Sequence, residues 1–216
     1  MVKKYLKYEL DSYLRQRGNE RKYENPISQE DGQGYIYYQK GTLVFYTLQD
    51  YIGEAKVNAV LKQLVNDWAF RQDRYLTTDI LVDSFKVATP DSLKYLVDDM
   101  FNKIVLYDNK VLAPKFKKIT GDEYEVSIPV SSVKYYADSV GNEKKAPLKD
   151  LLPIGVIGKD KSGKDSLLSI QKVWISNEKT TFKMRVKGLP VKAGIDPLNM
   201  FVDRDTNDNV AELTEE

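Results

Sequence analysis

Apolar and polar positions follow two different rhythms along this chain, and the change falls near residue 105. From Val2 to about Gly18, Leu6, Leu10, Tyr13, Leu14 and Arg17 fall on one helical stripe, with Lys3, Lys4, Lys7, Glu9 and Arg15 around the rest. Gly18 predicts a C-terminal stop. Asn25 to Gly34, with Pro26, Asp31, Gly32 and Gly34, predicts a loop. In the tyrosine-rich stretch that follows, Tyr37, Gly41, Val44, Leu48 and Tyr51/Ile52 recur every three or four residues, predicting a helix with an apolar face. Gly41 then stands within a helix, at a cost of about 1 kcal/mol against alanine. A glycine on a buried helix face predicts close approach of another backbone, and it places the Tyr38 hydroxyl at the helix entrance beside a cleft. Val57, Val60, Leu61, Leu64, Val65 and Trp68 predict a strongly amphipathic core helix. Thr77 or Thr78 caps a further one with Ile80, Leu81 and Phe85 inward, and Thr89 with Pro90 opens another carrying Leu93, Leu96, Val97, Met100 and Phe101.

Period two begins at Ile104-Val105-Leu106-Tyr107. Tyr124, Val126, Ile128 and Val130 alternate with Glu125, Ser127, Pro129 and Ser131, so this stretch predicts a strand with one buried face. Pro129 predicts an edge strand or a bulge. Thr120-Gly121-Asp122-Glu123 predicts a hairpin turn, and further strands are expected at Leu152 to Ile157, Leu168 to Ile175 and Thr181 to Val186. No fixed repeat period emerges. The expected fold class is α+β: a helical subdomain over residues 1–105, then an antiparallel, Ig-like β-sandwich over 106–216.

Composition narrows the function. Lys+Arg 33 against Asp+Glu 32 gives a net charge of +1, which argues against a nucleic-acid footprint even where Lys, Arg and Tyr interleave in the first helix. The absence of cysteine removes disulfides, thiol nucleophiles and thiolate metal sites, and is compatible with periplasm and cytosol alike. No apolar run approaches the length of about 18 residues that spans a bilayer, so no membrane insertion by this chain is expected. The absence of histidine removes the base of a serine triad and every imidazole metal ligand.

Three short motifs fall short of the chemistry they suggest. Gly158 to Asp165 differs from a phosphate-binding loop at the magnesium-ligating position, where Asp165 replaces a hydroxyl, and a strand rather than a helix is expected after it. It reads as an exposed hairpin loop. Asp203, Asp205, Asn207 and Asn209 alternate like the opening of a calcium loop, but Asp208 stands where glycine belongs and Thr214 where the bidentate glutamate belongs, so a polar turn is expected. Asp98 and Asp99, adjacent on a helix, diverge by about 100° and form no acid/base pair by themselves.

Tyr38-Gln39-Lys40-Gly41, followed by an apolar helix ending Ile52-Gly53-Glu54, resembles the Tyr-x-Lys-Gly…Gly-Glu segment of the aminopeptidase N type zinc metallopeptidases, the gluzincins. Arg15-x-Arg17-Gly18-x-Glu20, Tyr23-Glu24-Asn25-Pro26, Thr89-Pro90-Asp91-Ser92 and Ala193-Gly194-Ile195-Asp196-Pro197 resemble, more narrowly, a bacterial branch fused to ABC-transporter-permease-like membrane segments. The resemblance implies that Tyr38 donates a hydrogen bond to the oxyanion formed during peptide hydrolysis, with Tyr37 the alternative in register. Lys40 reads as solvated or paired. The family binds zinc through His-Glu-x-x-His and a later glutamate, which this chain does not contain. No cofactor is therefore expected in the chain itself. The resemblance implies a C-terminal part of a larger, membrane-associated peptidase-like protein, inactive alone. Its partners would be the upstream zinc-binding half of the same polypeptide and a peptide substrate. The alternative is a non-enzymatic protein-interaction module.

Overall fold

The computed structural model describes residues 2–216, and the chain is α+β. Among the described residues the helices are α1 (Val2–Asn19), α2 (Gly41–Ile52), α3 (Glu54–Trp68), α4 (Thr78–Ala88) and α5 (Lys94–Asn102). Short 3₁₀ turns at Ile27–Gln29 and Asp91–Leu93, and a π-helical turn at Ile36–Lys40, punctuate them. The strands are β1 (Ile104–Val111), β2 (Lys115–Thr120), β3 (Glu123–Ala137), β4 (Glu143–Lys145), β5 (Asp150–Lys159), β6 (Asp165–Ile175), β7 (Lys179–Lys187), β8 (Lys192–Ile195), β9 (Val210–Glu212) and β10 (Thr214–Glu215). The chain divides into two compact units: residues up to Val105 together with Tyr136–Lys144, and Leu106–Tyr135 together with Lys145–Glu216. The tip of the β3–β4 hairpin thus belongs to the helical unit.

In the helical unit the apolar stripes of α2 to α5 meet in one cluster. Val44, Leu48 and Ile52 of α2, Val57, Val60 and Leu64 of α3, Val82 and Phe85 of α4, and Val97 and Phe101 of α5 form a buried cluster. Phe45, Phe85 and Phe101 pack ring to ring within it, at centroid separations of 5.7 to 6.1 Å. The stripe read on α3 is only half buried, since Val65 is largely exposed and Leu61 partly so. Gly53, at φ 93, ends α2 and lets α3 begin at once.

Several boundary expectations are corrected. Helix α1 runs through Gly18 to Asn19 rather than stopping at the glycine. Thr77 occupies the position before α4 without a side-chain cap, and the Thr89 hydroxyl donates back to the Phe85 carbonyl at 2.7 Å rather than capping forward. Pro90 opens a 3₁₀ turn, and α5 begins only at Lys94.

In the strand-rich unit β3 is the organising element. β2 and β7 flank it antiparallel, and β1 and β4 pair with it farther along. Its Tyr124, Val126, Ile128 and Val130 are buried in alternation, as period two requires. β10 pairs with β2 in parallel, so this sheet is mixed rather than wholly antiparallel. Pro129 lies inside this central strand, not at an edge. Its carbonyl accepts the Leu112 N–H at 2.7 Å, so the side on which proline lacks its own N–H faces the break between β1 and β2, where Ala113 has φ 46. The second sheet runs β6-β5-β8-β9, antiparallel throughout. A Cβ on Gly194 would lie 1.9 Å from the Asn209 carbonyl oxygen, which makes glycine obligatory where β8 and β9 meet.

Candidate functional site

The segment Tyr35 to Gly41 departs from the continuous α-helix its periodicity predicts. At its end the Gly41 N–H reaches Ile36 O, five residues back, as well as Tyr38 O, so one residue is in excess of an α-turn before α2 begins. Such π-turns collect at functional sites because they re-aim side chains against the helix behind them. Gly41 therefore stands at a π/α junction rather than in mid-helix. A Cβ there would meet only Ile36 O, at an ordinary 3.7 Å, so no other backbone approaches closely and that expectation is corrected.

Tyr38 projects from this turn with 66% of its surface exposed. Its backbone carbonyl accepts the Thr42 hydroxyl at 2.7 Å, which ties the turn to the first coil of α2. The Tyr37 ring lies 4.5 Å from the Tyr38 ring, centroid to centroid, and the Tyr37 hydroxyl folds back to within 3.7 Å of where a Gly34 Cβ would stand. Both rings are exposed, Tyr38 at 66% and Tyr37 at 45%, so Tyr38 is the more exposed of the two. Farther along α2 and at the start of α3, Tyr46, Gln49, Asp50 and Glu54 line an open cleft of about 220 Å³.

Beneath the turn lies a group of buried polar side chains that the sequence reading did not assemble. Glu24 is buried, and its carboxylate accepts from the Tyr13 hydroxyl at one oxygen and from Arg17 Nε at 2.6 Å at the other. The Glu24 backbone N–H donates to Ser139 O at 2.7 Å. Lys40, 3% exposed, points into the same place, with Nζ 3.9 Å from Glu24 and 5.6 Å from the centre of the Tyr13 ring. It makes no hydrogen bond, and neither does the buried Tyr35 hydroxyl. Burial pushes the Lys40 ammonium down to a pKa of about 8, against the pull of Glu24, and nearby Arg17 adds to the depression. Burial and the Glu24 charge together raise Tyr13 well above the usual phenol range. Of the two alternatives for Lys40, solvated or paired, the structure shows the pair with Glu24 and almost no exposure to water. The signals for this cluster were an arginine on the apolar stripe of α1, and Lys40 preceding Val44, Leu48 and Ile52 at steps of four.

The remaining motifs resolve as structure. Asp98 and Asp99 are brought together by Lys103, whose Nζ lies 2.8 Å from each, and the Tyr136 hydroxyl donates to Asp99 at 3.0 Å. Burial works against the Lys103 charge, but these carboxylates outweigh it and raise its pKa. Gly158 to Asp165 is the exposed β5–β6 turn, in which Asp160 accepts from the Ser162 and Lys164 backbone N–H groups. Asp203 is buried and accepts from the Asn109 and Asp205 N–H groups at 3.0 and 3.2 Å. Burial lifts its pKa to about 7 despite those two donors. Among the described residues no group of three or more acidic side chains is placed to hold a metal ion. With no histidine or cysteine in the chain, its residues do not fit a zinc ion.

No known family model matches the chain, and no curated protein is significantly similar to it.

Proposed function

We propose that this chain forms one wall of the active cleft of an aminopeptidase N-like zinc metallopeptidase, with Tyr38 as the oxyanion-binding donor. The observation that carries the reading is the pairing of opposites within one π-turn. Tyr38 faces outward with 66% exposure, while Lys40, two residues on, is buried beneath it. Transition-state stabilisation requires a donor positioned in advance in a site closed to water; the anchored backbone supplies the position, and the upstream half would supply the closure over the outward ring. As water adds to the scissile carbonyl, the carbonyl oxygen gains negative charge. Tyr38 Oη–H donates a hydrogen bond to that oxygen, and the bond strengthens as the charge grows. The zinc ligands belong to the upstream half of a longer polypeptide, since this chain has no donor set for the ion. In the same reading the two sheets form an Ig-like sandwich, supported by the alternating burial on β3 and the nearly continuous burial along β5, and the parent is membrane-associated.

The test is hydrolysis of amino-acid aminoanilides by the polypeptide that carries the upstream half, beside its Tyr38→Phe variant. The expected outcome is a loss in kcat on the order of a hundredfold or more, with zinc content unchanged. A Tyr38→Phe variant as active as wild type removes Tyr38 from the chemistry.

The second reading, a protein-interaction module, is favoured by a different feature. Phe70 is fully exposed at φ 62 after α3, and Tyr75 is nearly so. An inactive, zinc-free parent would select it.

A further inference from the structure

We infer that Glu24 is the positioning residue of the Tyr38 turn: its carboxylate holds the Lys40 ammonium beneath the π-turn and so keeps the turn in the register that projects Tyr38. The inference rests on the reading of Tyr38 above and names what sustains that geometry.

Glu24 sits between the elements it joins. It binds Tyr13 and Arg17 of α1 through its two oxygens, its own backbone is pinned to Ser139 O, and its carboxylate is the nearest countercharge to Lys40. The titratable groups facing Lys40 are Tyr13 and Arg17 from α1 and Glu24 from the loop after it, and the Tyr35 ring lies 5.9 Å from that of Tyr13. Around the Lys40 head group two cations therefore meet one anion, while Glu143 acts on Arg17 and Glu20 on Tyr35 from farther out. Without the carboxylate, the Lys40 ammonium would be buried facing only Arg17, a charge of its own sign. An unpaired buried cation is expelled to water or loses its proton. Lys40 closes the turn that Tyr38 projects from, so expulsion of its head group drags the backbone from Ile36 to Gly41 with it. The i−5 bond from Gly41 N–H to Ile36 O is the first to open.

This chain of cause predicts a specific rescue. Glu24→Gln breaks the anchor by leaving Lys40 uncompensated. Adding Lys40→Met, of similar length and uncharged, removes the charge that needed compensation. In the 216-residue chain, amide exchange at Gly41 is expected to accelerate about tenfold or more in Glu24→Gln and to return to within about threefold of wild type in the double variant. In the longer polypeptide, Glu24→Gln is expected to lose about tenfold or more in kcat with KM within about twofold, and the double variant to recover most of it.

Wild-type protection of Gly41 in Glu24→Gln overturns the inference. A double variant no better than Glu24→Gln, whether folded or unfolded, also overturns it, because Glu24 then acts only by packing with Tyr13 and Arg17. An inactive Tyr38→Phe beside a Glu24→Gln of wild-type kcat overturns this inference alone. A fully active Tyr38→Phe, or an inactive wild-type parent, removes the Tyr38 reading and this inference together.

Discussion

Buried beside Glu24, the Lys40 ammonium has lost its water and gained one carboxylate at 3.9 Å, and the loss dominates. Its pKa falls to about 8, whereas in the unfolded chain it returns to about 10.4. The unfolded state therefore binds more protons than the native state between those values, and stability rises with pH across that window. The penalty is present in full below about pH 8 and fades above it. Tyr13 and Tyr35, whose pKa values are raised, oppose the trend once unfolded phenols ionise near pH 10, so the clean interval lies between about pH 8 and pH 9.5. The urea midpoint of the helical unit should climb over that interval in wild type and stay flat in Lys40→Met. A wild-type midpoint that is flat or falling there would show that Lys40 keeps its full charge in the folded chain. At this scale the sequence showed which residues are polar but not which are enclosed. Glu24 and Lys40 stand in a loop and at a helix entrance, and only their meeting makes either unusual.

At the scale of elements, local periodicity served well where one neighbour covers a face and less well where the backbone departs from regularity. The stripe on α4 predicted Phe85 inward, and the structure buries it completely between Phe45 and Phe101. Truncation there leaves a ring-sized cavity in a close-packed cluster, and Phe85→Ala should cost about 3–5 kcal/mol by urea denaturation followed through helical circular dichroism. A loss under about 1 kcal/mol would mean that the cluster collapses to fill the space. The π-turn was legible only as helix, because apolar steps of three and four residues do not say whether the backbone bond closes four or five residues back. Pro129 was misread for a related reason. Proline announces a missing donor but not which side of the strand it faces, and here that side meets the interruption between β1 and β2. On α3 the pattern could not say that the outer row through Val65 would stay uncovered.

At the scale of the whole molecule, the donor inventory sets a limit that no folding can lift. A chain without histidine or cysteine, and without a convergent carboxylate group among its described residues, should bind no stoichiometric Zn²⁺ tighter than about 10 μM in titration calorimetry at neutral pH. One tight equivalent would overturn both the donor argument and the assignment of the zinc site to an upstream half. The sequence alone determined such inventories, together with the passage from period 3.6 to period two and the residue types along each apolar face. All of these depend on composition and on neighbours a few positions apart. Tertiary structure decided what depends on distant parts of the chain coming together. Glu24 gathers Tyr13, Arg17 and Lys40, Lys103 bridges Asp98 and Asp99, and burial gives Asp203 its raised pKa. Burial and the low dielectric that comes with it belong to the folded chain, and they turn ordinary polar residues into an anchored turn with an exposed tyrosine.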